Sequence, residues 1–502
     1  MAETEPTLSF VDLRADINKL FSAKSSQKTI GLELELIPFK SRVDGTESSV
    51  DIRNKEESGI YDLLRGFSRE SKELFDTPKE DGTPQLSSID GGNITFEPGG
   101  QIEYSTSQGV MISDAIKEIT RYHNIISRCL SEKDIWMFFG GMNPWESVLQ
   151  VGLKNSKPRY QAMDSYFKSI NQYGQQMMRL TTSLQVNLDL GNSEETKQRW
   201  LAANLLSPIL CAIFSNSPFH AGEITNNRSY RSATWQNLDK CRTGFPHLSY
   251  GTVSNTSPEQ QYYEYAINAN VILLPDSLGN VGYVNNVTSF RQWMTSGFNG
   301  YYPDMKDWKT HLTLLFPEVR PKGFFEFRAV DGQCRAWWTV PSIVVTAILY
   351  DEAATGQVID LLQPYYSELK NMLSKASIEG VKAFPELAKR IFKIALNASE
   401  FKIEDELRDH CEHFYKTYTH QEKSPADDLL ELNNGRVFTS TQYFHYEEKQ
   451  IATACLPDYA VCQSQMRNSV KGTEDHLSNI EASANSGDDN PRRCCFPWCG
   501  GN

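Results

Sequence analysis

Four short segments of this chain alternate apolar and polar residues with a period of two, and all four place carboxylates or amides on the polar side. In the first, Ile30, Leu32, Leu34 and Leu36 fall on one face, with Glu33 and Glu35 on the other beside Gly31. In the second, Glu97 and Glu103 flank the turn Pro98-Gly99-Gly100. In the third, Leu184, Val186, Leu188 and Leu190 alternate with Gln185, Asn187 and Asp189. In the fourth, Phe325 and Phe327 alternate with Glu326 and Arg328. This period marks half-buried strands. Each apolar set requires a core. Each polar set lacks the lysines that normally balance a solvated face. If the strands share a sheet, their carboxylates crowd together, and like charges at close range raise one another's pKa and destabilise the fold unless a cation lies between them. Mg²⁺ is the natural counter-ion, because it is hard and is usually held by carboxylates together with substrate phosphates.

Phosphate would need its own partners. The chain has no GxxxxGK[ST] loop and no strand-linked GxGxxG. Arginine is then the expected phosphate ligand, since its planar guanidinium clamps phosphate or carboxylate in a bidentate way. Arg328 lies beside Glu326, and Arg231 and Arg242 lie in a polar stretch running from Ser229 to Gly244.

Charge limits the partners. Lys and Arg number 50 against 63 Asp and Glu, a net charge of −13. An acidic chain is a poor general nucleic-acid binder, so no nucleic-acid partner is expected. With 39% hydrophobic residues the chain can build a sizeable core. No run reaches the ~18 apolar residues that span a bilayer, and the N-terminus has neither a basic nor an apolar signal region. Five cysteines, Cys129, Cys211, Cys241, Cys334 and Cys411, are scattered through the body. They do not resemble a disulfide framework, so a reducing cytosol is expected. Oligomeric state is not legible.

The body, residues 13–436, alternates strand and helix patterns. Helices are predicted from Asn192 or Ser193 toward Phe214, over Asp114 to Leu130, from Pro341 to Tyr350, over Glu386 to Ala395, over Glu404 to Tyr415, and from a Ser424 cap with Pro425 in the first turn. His410, Cys411 and His413 read as a solvated helical face. Residues 437–465 carry no clear pattern. Residues 466–502 are polar, with Cys494, Cys495 and Cys499 near the end, and are expected to be a disordered tail.

In order along the chain, these segments resemble the plant and proteobacterial type of glutamate–cysteine ligase. That family also includes the actinobacterial enzyme that makes γ-glutamylcysteine for ergothioneine. The matching motifs are GLELEL at 31–36, ITFEPGGQIEYST at 94–106, MMRLTTSLQVNLDL at 177–190, SNSPF at 215–219, SYRSATWQNLDKCRTG at 229–244, FPEVRPKGFFEFRAVDG at 316–332 and SPADDLLELNNG at 424–435. The resemblance implies an α+β, glutamine-synthetase-like catalytic fold: a curved, mostly antiparallel sheet forming a funnel, with helices packed outside. It also implies a reaction. ATP phosphorylates the γ-carboxylate of L-glutamate, and the amino group of L-cysteine displaces phosphate to give γ-glutamylcysteine.

Roles carry over by position. Glu33, Glu35, Glu103 and Glu326 match the Mg²⁺ ligands, and Gln185 faces metal or phosphate. Arg328 matches the residue stabilising the transferring phosphoryl group. Arg231, with Trp235, matches the grip on the α-carboxylate of glutamate. Arg242 and Lys240 are implied for nucleotide phosphate, Arg179 near the site, and Glu97 for a substrate amine. Two departures fall on the acceptor side: Asp331-Gly332 is followed by Gln333-Cys334, and Asn226-Asn227 stand where the family often has Gly. The alternatives are a γ-glutamyl ligase with another amine acceptor and a catalytically silent nucleotide-binding regulator.

Overall fold

The alternation at 30–36 produces the longest strand, β1 (Ile30–Ser41). Nine further strands join it: β2 (Glu47–Ser49), β3 (Leu74–Asp76), β4 (Leu86–Ser88), β5 (Asn93–Phe96), β6 (Ile102–Ser105), β7 (Trp136–Phe138), β8 (Leu184–Leu188), β9 (Val319–Pro321) and β10 (Phe325–Phe327). The computed structural model describes residues 8–22, 27–42, 45–54, 59–248, 256–275, 281–283, 288–298 and 300–462. The ten strands make one sheet in the order β9-β10-β8-β1-β6-β5-β4-β3, with β2 and β7 both pairing with the far half of β1. Every described pair in this sheet is antiparallel. Among the described residues its two edges, β9 and β3, do not pair, so the sheet stays open. All four alternating segments therefore lie side by side at its centre.

The apolar side of those strands is the core face. Ile30, Leu32, Leu184, Val186 and Ile102 are fully buried. The helix Ile112–Ser131 packs against β1 and the helix Val340–Leu349 against β8. The second helix reads VPSIVVTAIL and is buried at every position, with Pro in the first turn where its missing N–H costs least. Asn192 caps the helix Ser193–Ile213 by accepting from the amides of Glu194 and Glu195. Ser424 and Asp427 form a capping box on the helix Pro425–Leu432. Both starts lie where the cap residues indicated.

Two expectations change. Residues 437–465, unread from sequence, include the helix Ser440–Thr453, whose Tyr443, Phe444 and Glu447 are buried. Arg335 holds Glu447 through Nε to Oε2 at 2.7 Å and its backbone N–H to Oε1 at 2.9 Å. As far as the described residues run, to Cys462, this segment belongs to the same compact unit as the body. The helix Asp405–Thr417 does not present a solvated histidine face. His410 is fully buried and stacks on Trp337 at 5.1 Å between ring centroids, His413 lies 5.6 Å from the same ring, and Cys411 is buried. The polar neighbours that suggested exposure lie on the other side of the helix. The expected tail at 466–502, with Cys494, Cys495 and Cys499, lies outside the described residues. Among the described residues seven cysteines are free, and no helix is long and apolar enough to cross a membrane.

Candidate active site

Strand register decides which polar side chains meet. Glu35 stands directly across from Glu103 between β1 and β6. Glu33 pairs with Gln185 between β1 and β8, and Glu326 pairs with Asn187 between β10 and β8. Thr95 on β5 faces Glu103. The four segments thus deliver their carboxylates to one face, and that face floors a cavity of about 370 Å³. Its walls come from the helices Pro158–Ile170, Tyr173–Leu180 and Tyr230–Leu238 and from the chain around Phe316.

Opposed like charges normally destabilise a strand pair. Here Glu35, Glu33 and Glu103 each accept from neutral donors. Glu35 Oε2 accepts from the Ser183 amide at 2.7 Å and Oε1 from Gln185 Nε2 at 2.9 Å. Glu33 accepts from Asn187 Nδ2 at 2.8 Å, and Glu103 accepts from Thr95 Oγ1 at 2.9 Å. Burial, with Glu326 and Glu103 nearby, pushes Glu33 up to about 7. Burial, reinforced by Glu103 and Glu35, pushes Glu97 up to about 8. Glu35 and Glu103 are also raised, mainly by burial. A donor set of partly buried, charge-strained oxygens fits a hard divalent cation. Among the described residues no three such side chains stand close enough to make a ready-made metal site.

Glu326 is different. It is fully buried and already neutralised. Arg320 Nη2 donates to Oε1 at 2.9 Å, Lys322 Nζ to Oε1 at 2.8 Å and Arg328 Nη1 to Oε2 at 2.6 Å. Burial alone would raise this carboxyl, but Arg320, Arg328 and Lys322 hold it well below the usual range. Where a metal ligand was expected, Glu326 organises three cations. One of them, Arg328, also donates to Gln185 Oε1 at 2.9 Å, which aims its guanidinium across the carboxylate floor.

Trp235 lines the cavity with the guanidinium carbons of Arg328 and Arg231 5.3 and 5.7 Å from its ring centroid. Arg231 is buried. It donates to the Arg328 carbonyl at 3.0 Å and stands 3.9 Å from Asp331, and its Nε has no hydrogen-bond partner. Gly99 of the turn before β6 lies against the helix Tyr173–Leu180, where a Cβ would meet the Arg179 carbonyl oxygen at 2.1 Å, and Gly100 has φ +90°. Only glycine admits that approach and that backbone.

Four expected residues do not line the cavity: Arg231 lies in a small pocket that shares Trp235, Phe316 and Arg328 with it, and the other three lie farther off. Arg242 is fully buried elsewhere, with its donors on Asp239 at 2.7 Å, the Leu314 carbonyl at 3.0 Å and the Asn270 carbonyl at 2.7 Å. Each of its three nitrogens is engaged inside the protein, away from the cavity. Lys240 is exposed in the turn after the helix Tyr230–Leu238 and does not line the cavity. Arg179 is committed to Asp164 and the Val148 carbonyl, behind the glycine turn. Conversely, Arg159, Arg320 and Lys322 line the cavity and were not anticipated. Arg320 could have been found, since a hairpin turning at Lys322-Gly323 sets it opposite Glu326. Arg159 left no local signal. A second cavity of about 520 Å³ adjoins the first across Glu33 and Ser105, with Ile30, Leu190 and Phe324 in its wall.

Comparison with known proteins gives three findings. The model of glutamate–cysteine ligase family 2 (GCS2) matches residues 29–437. The chloroplastic glutamate–cysteine ligase of Nicotiana tabacum is 29% identical over 430 residues, covering 82% of this chain and 78% of that protein. The glutamate–cysteine ligase EgtA of Mycobacterium tuberculosis is 30% identical over 329 residues, covering 64% of this chain and 73% of that protein.

Proposed function

Because this chain belongs to glutamate–cysteine ligase family 2, and is a ligase joining the γ-carboxylate of L-glutamate to the amino group of L-cysteine with conversion of ATP to ADP and phosphate, we propose that the cavity on the β1–β6–β8–β10 face is where it does so. The observation that carries this assignment is the row of Glu33, Glu35 and Glu103, which have neutral donors but no cation, beside a guanidinium already aimed by Glu326 and Gln185.

Glu33, Glu35 and Glu103 would hold Mg²⁺, with Gln185 as a neutral neighbour. When bound, the ion supplies neutralisation of the triphosphate charge. The γ-carboxylate oxygen of glutamate attacks the γ-phosphorus, and the bond to ADP breaks. Arg328 stabilises the transferring phosphoryl group, and its bonds to Gln185 and Glu326 mean little reorganisation is needed. Arg320 and Lys322 add positive charge beside it. The amine of cysteine then attacks the acyl carbon, the C–N bond forms, and phosphate leaves with the C–O electron pair. Trp235 in the cavity wall, with Arg231 from the small pocket that shares Trp235 and Arg328 with the cavity, would hold the α-carboxylate end of glutamate. The adjoining cavity, with its apolar Phe324 and Leu190, takes the nucleoside.

The test is phosphate release from Mg-ATP and L-glutamate with and without L-cysteine, with products identified by mass. Cysteine-dependent release with a γ-glutamylcysteine mass supports the assignment. Release indifferent to cysteine points to another amine acceptor. Silence under all conditions points to a regulator. We place the protein in the cytosol, in keeping with seven free cysteines among the described residues. The Nicotiana relative is chloroplastic by name, and cell fractionation separates the two.

A further inference from the structure

A cavity of about 570 Å³ lies apart from the carboxylate floor, between the helices Ser193–Ile213 and Pro258–Asn268 and the 3-10 turn Gln363–Glu368. It shares no described lining residue with the catalytic cavity. Its volume falls in the range of small-molecule sites, about 300–1,000 Å³. One wall is a single helix face: Lys197, Trp200, Leu201 and Asn204 follow one another at i, i+3, i+4 and i+7. Lys197 is exposed and Asn204 is only 1% exposed, so the cavity runs inward along roughly 10 Å of helix.

The deep end holds an oxygen without a partner. Asn204 Nδ2 donates to the Trp200 carbonyl at 2.8 Å, which fixes Oδ1 as the free acceptor, and Oδ1 is buried with no hydrogen-bond partner. Trp200 Nε1 donates to Gln261 Oε1 at 2.8 Å, and Gln261 Nε2 donates to the Thr256 carbonyl at 3.0 Å. Thr256 ends this string with a second buried oxygen, Oγ1, that has no partner. The remaining wall is flat and apolar. It is made by Trp200, Leu201, Pro258 and Tyr366, whose ring is stacked by His247 at 3.9 Å between centroids. Burial pushes His247 down to about 4, so it is neutral at physiological pH. None of the described lining residues is acidic.

Buried oxygens without partners cost free energy. This pair calls for an occupant that donates to Asn204 and exchanges a hydrogen bond with Thr256. Water would satisfy both oxygens but leave the Trp200, Leu201 and Pro258 surfaces wet. A cation finds no carboxylate here, and a plain hydrocarbon leaves both oxygens unpaired. We propose that this cavity binds a flat aromatic nitrogen heterocycle bearing an amino group, of the size of a purine or pyrimidine base. Its amino group donates to Asn204 Oδ1, a ring nitrogen accepts from Thr256 Oγ1, and its face lies against Trp200. The space toward Lys197 leaves room for a substituent on the ring. The site is separate from the catalytic cavity, and its assignment does not rest on the ligase reading.

The test is calorimetric titration of 9-methyladenine and of 9-methylpurine into the full chain. Mg²⁺, L-glutamate and a non-hydrolysable ATP analogue are held in excess, so that the nucleoside site is filled. The probes differ only in the amino group, which carries the one N–H donor of 9-methyladenine. Wild type should bind 9-methyladenine roughly 10-fold more tightly than 9-methylpurine, the effect of one neutral hydrogen bond. Asn204→Leu should erase that difference, and Leu201→Trp, which fills the cavity, should abolish binding of both probes. Neither residue lies in the catalytic cavity, so both variants should keep the wild-type ligase rate, which also shows that they fold. If Asn204→Leu does not fold, Thr256→Val takes its place and should weaken both probes several-fold. Failure of wild type to bind 9-methyladenine overturns the proposal, as does equal affinity for the two probes. A preference that survives Asn204→Leu, or binding that the ATP analogue abolishes, places the probe elsewhere and also overturns it. If wild type shows no ligase activity, the ligase reading alone fails; thermal unfolding then checks the folding of the variants, and the titrations decide this site as before.

Discussion

Replacing Glu103 by glutamine removes one negative charge from the cavity floor and almost nothing else. The side chain keeps its size, and its amide oxygen can still accept from Thr95 Oγ1, now 2.9 Å from Oε1. What changes is repulsion. Glu35 stands directly opposite, and Glu33 is raised from 4.5 to about 7 by burial first, then Glu326, then Glu103. A displacement of that size corresponds to ~3 kcal/mol of disfavoured charge, to which Glu103 contributes after burial and Glu326. At pH 8 without Mg²⁺, Glu103→Gln should therefore raise the midpoint of thermal unfolding by a degree or two. Catalysis should respond in the opposite sense. Removing one charge from the metal site should lower kcat by roughly 10² or more, since the interaction is worth several kcal/mol in the transition state. Differential scanning fluorimetry with and without Mg²⁺, alongside phosphate release, measures both. The Mg²⁺-induced rise in Tm should be large in wild type and small in the variant. A variant that keeps its rate, or that melts several degrees lower without Mg²⁺, would refute the reasoning, because Glu103 would then be a structural acceptor.

Glu326→Gln should act in the other direction on stability. Glu326 is fully buried among Arg320, Lys322 and Arg328, and leaving those cations unpaired should cost ~3–5 kcal/mol in denaturant unfolding. Arg335→Met should be comparably damaging, because it leaves Glu447 fully buried without its partner; normal stability would show that the helix Ser440–Thr453 is dispensable. Acid should unfold the protein early. Burial pushes His123, His311 and His410 to about 3, from an ordinary 6.5. The unfolded chain binds these protons first, so stability is complete above pH 6.5 and falls as pH drops toward 3. The loss is ~2 kcal/mol per histidine at pH 5, and replacing His410 by glutamine should flatten that slope in denaturant titrations at pH 7.5 and 5.

Local rules carried much of the fold. The two-residue period of Glu33 and Glu35 against Leu32 and Leu34, and the caps at Asn192 and Ser424, depend on residues within four positions of one another. They give the same answer in almost any tertiary context. The carboxylates of the floor and the guanidinium of Arg328 were legible for the same reason: a polar face without lysine is visible in one strand. Arg242 was misplaced because a polar stretch cannot reveal that Asp239, three residues away, and the carbonyls of Leu314 and Asn270 engage all three of its nitrogens in the interior. His410 was misjudged because its stacking partner, Trp337, is remote in sequence.

What tertiary structure alone decided is register and company. Glu35 opposite Glu103, Arg328 reaching Gln185 across 143 positions of chain, and Arg159 donating to Thr313 are contacts between distant segments. A shift of one residue in any strand would turn its carboxylates to the other face. The composition of the face is thus written in the strands, and the pairing of charges upon it is set by the sheet.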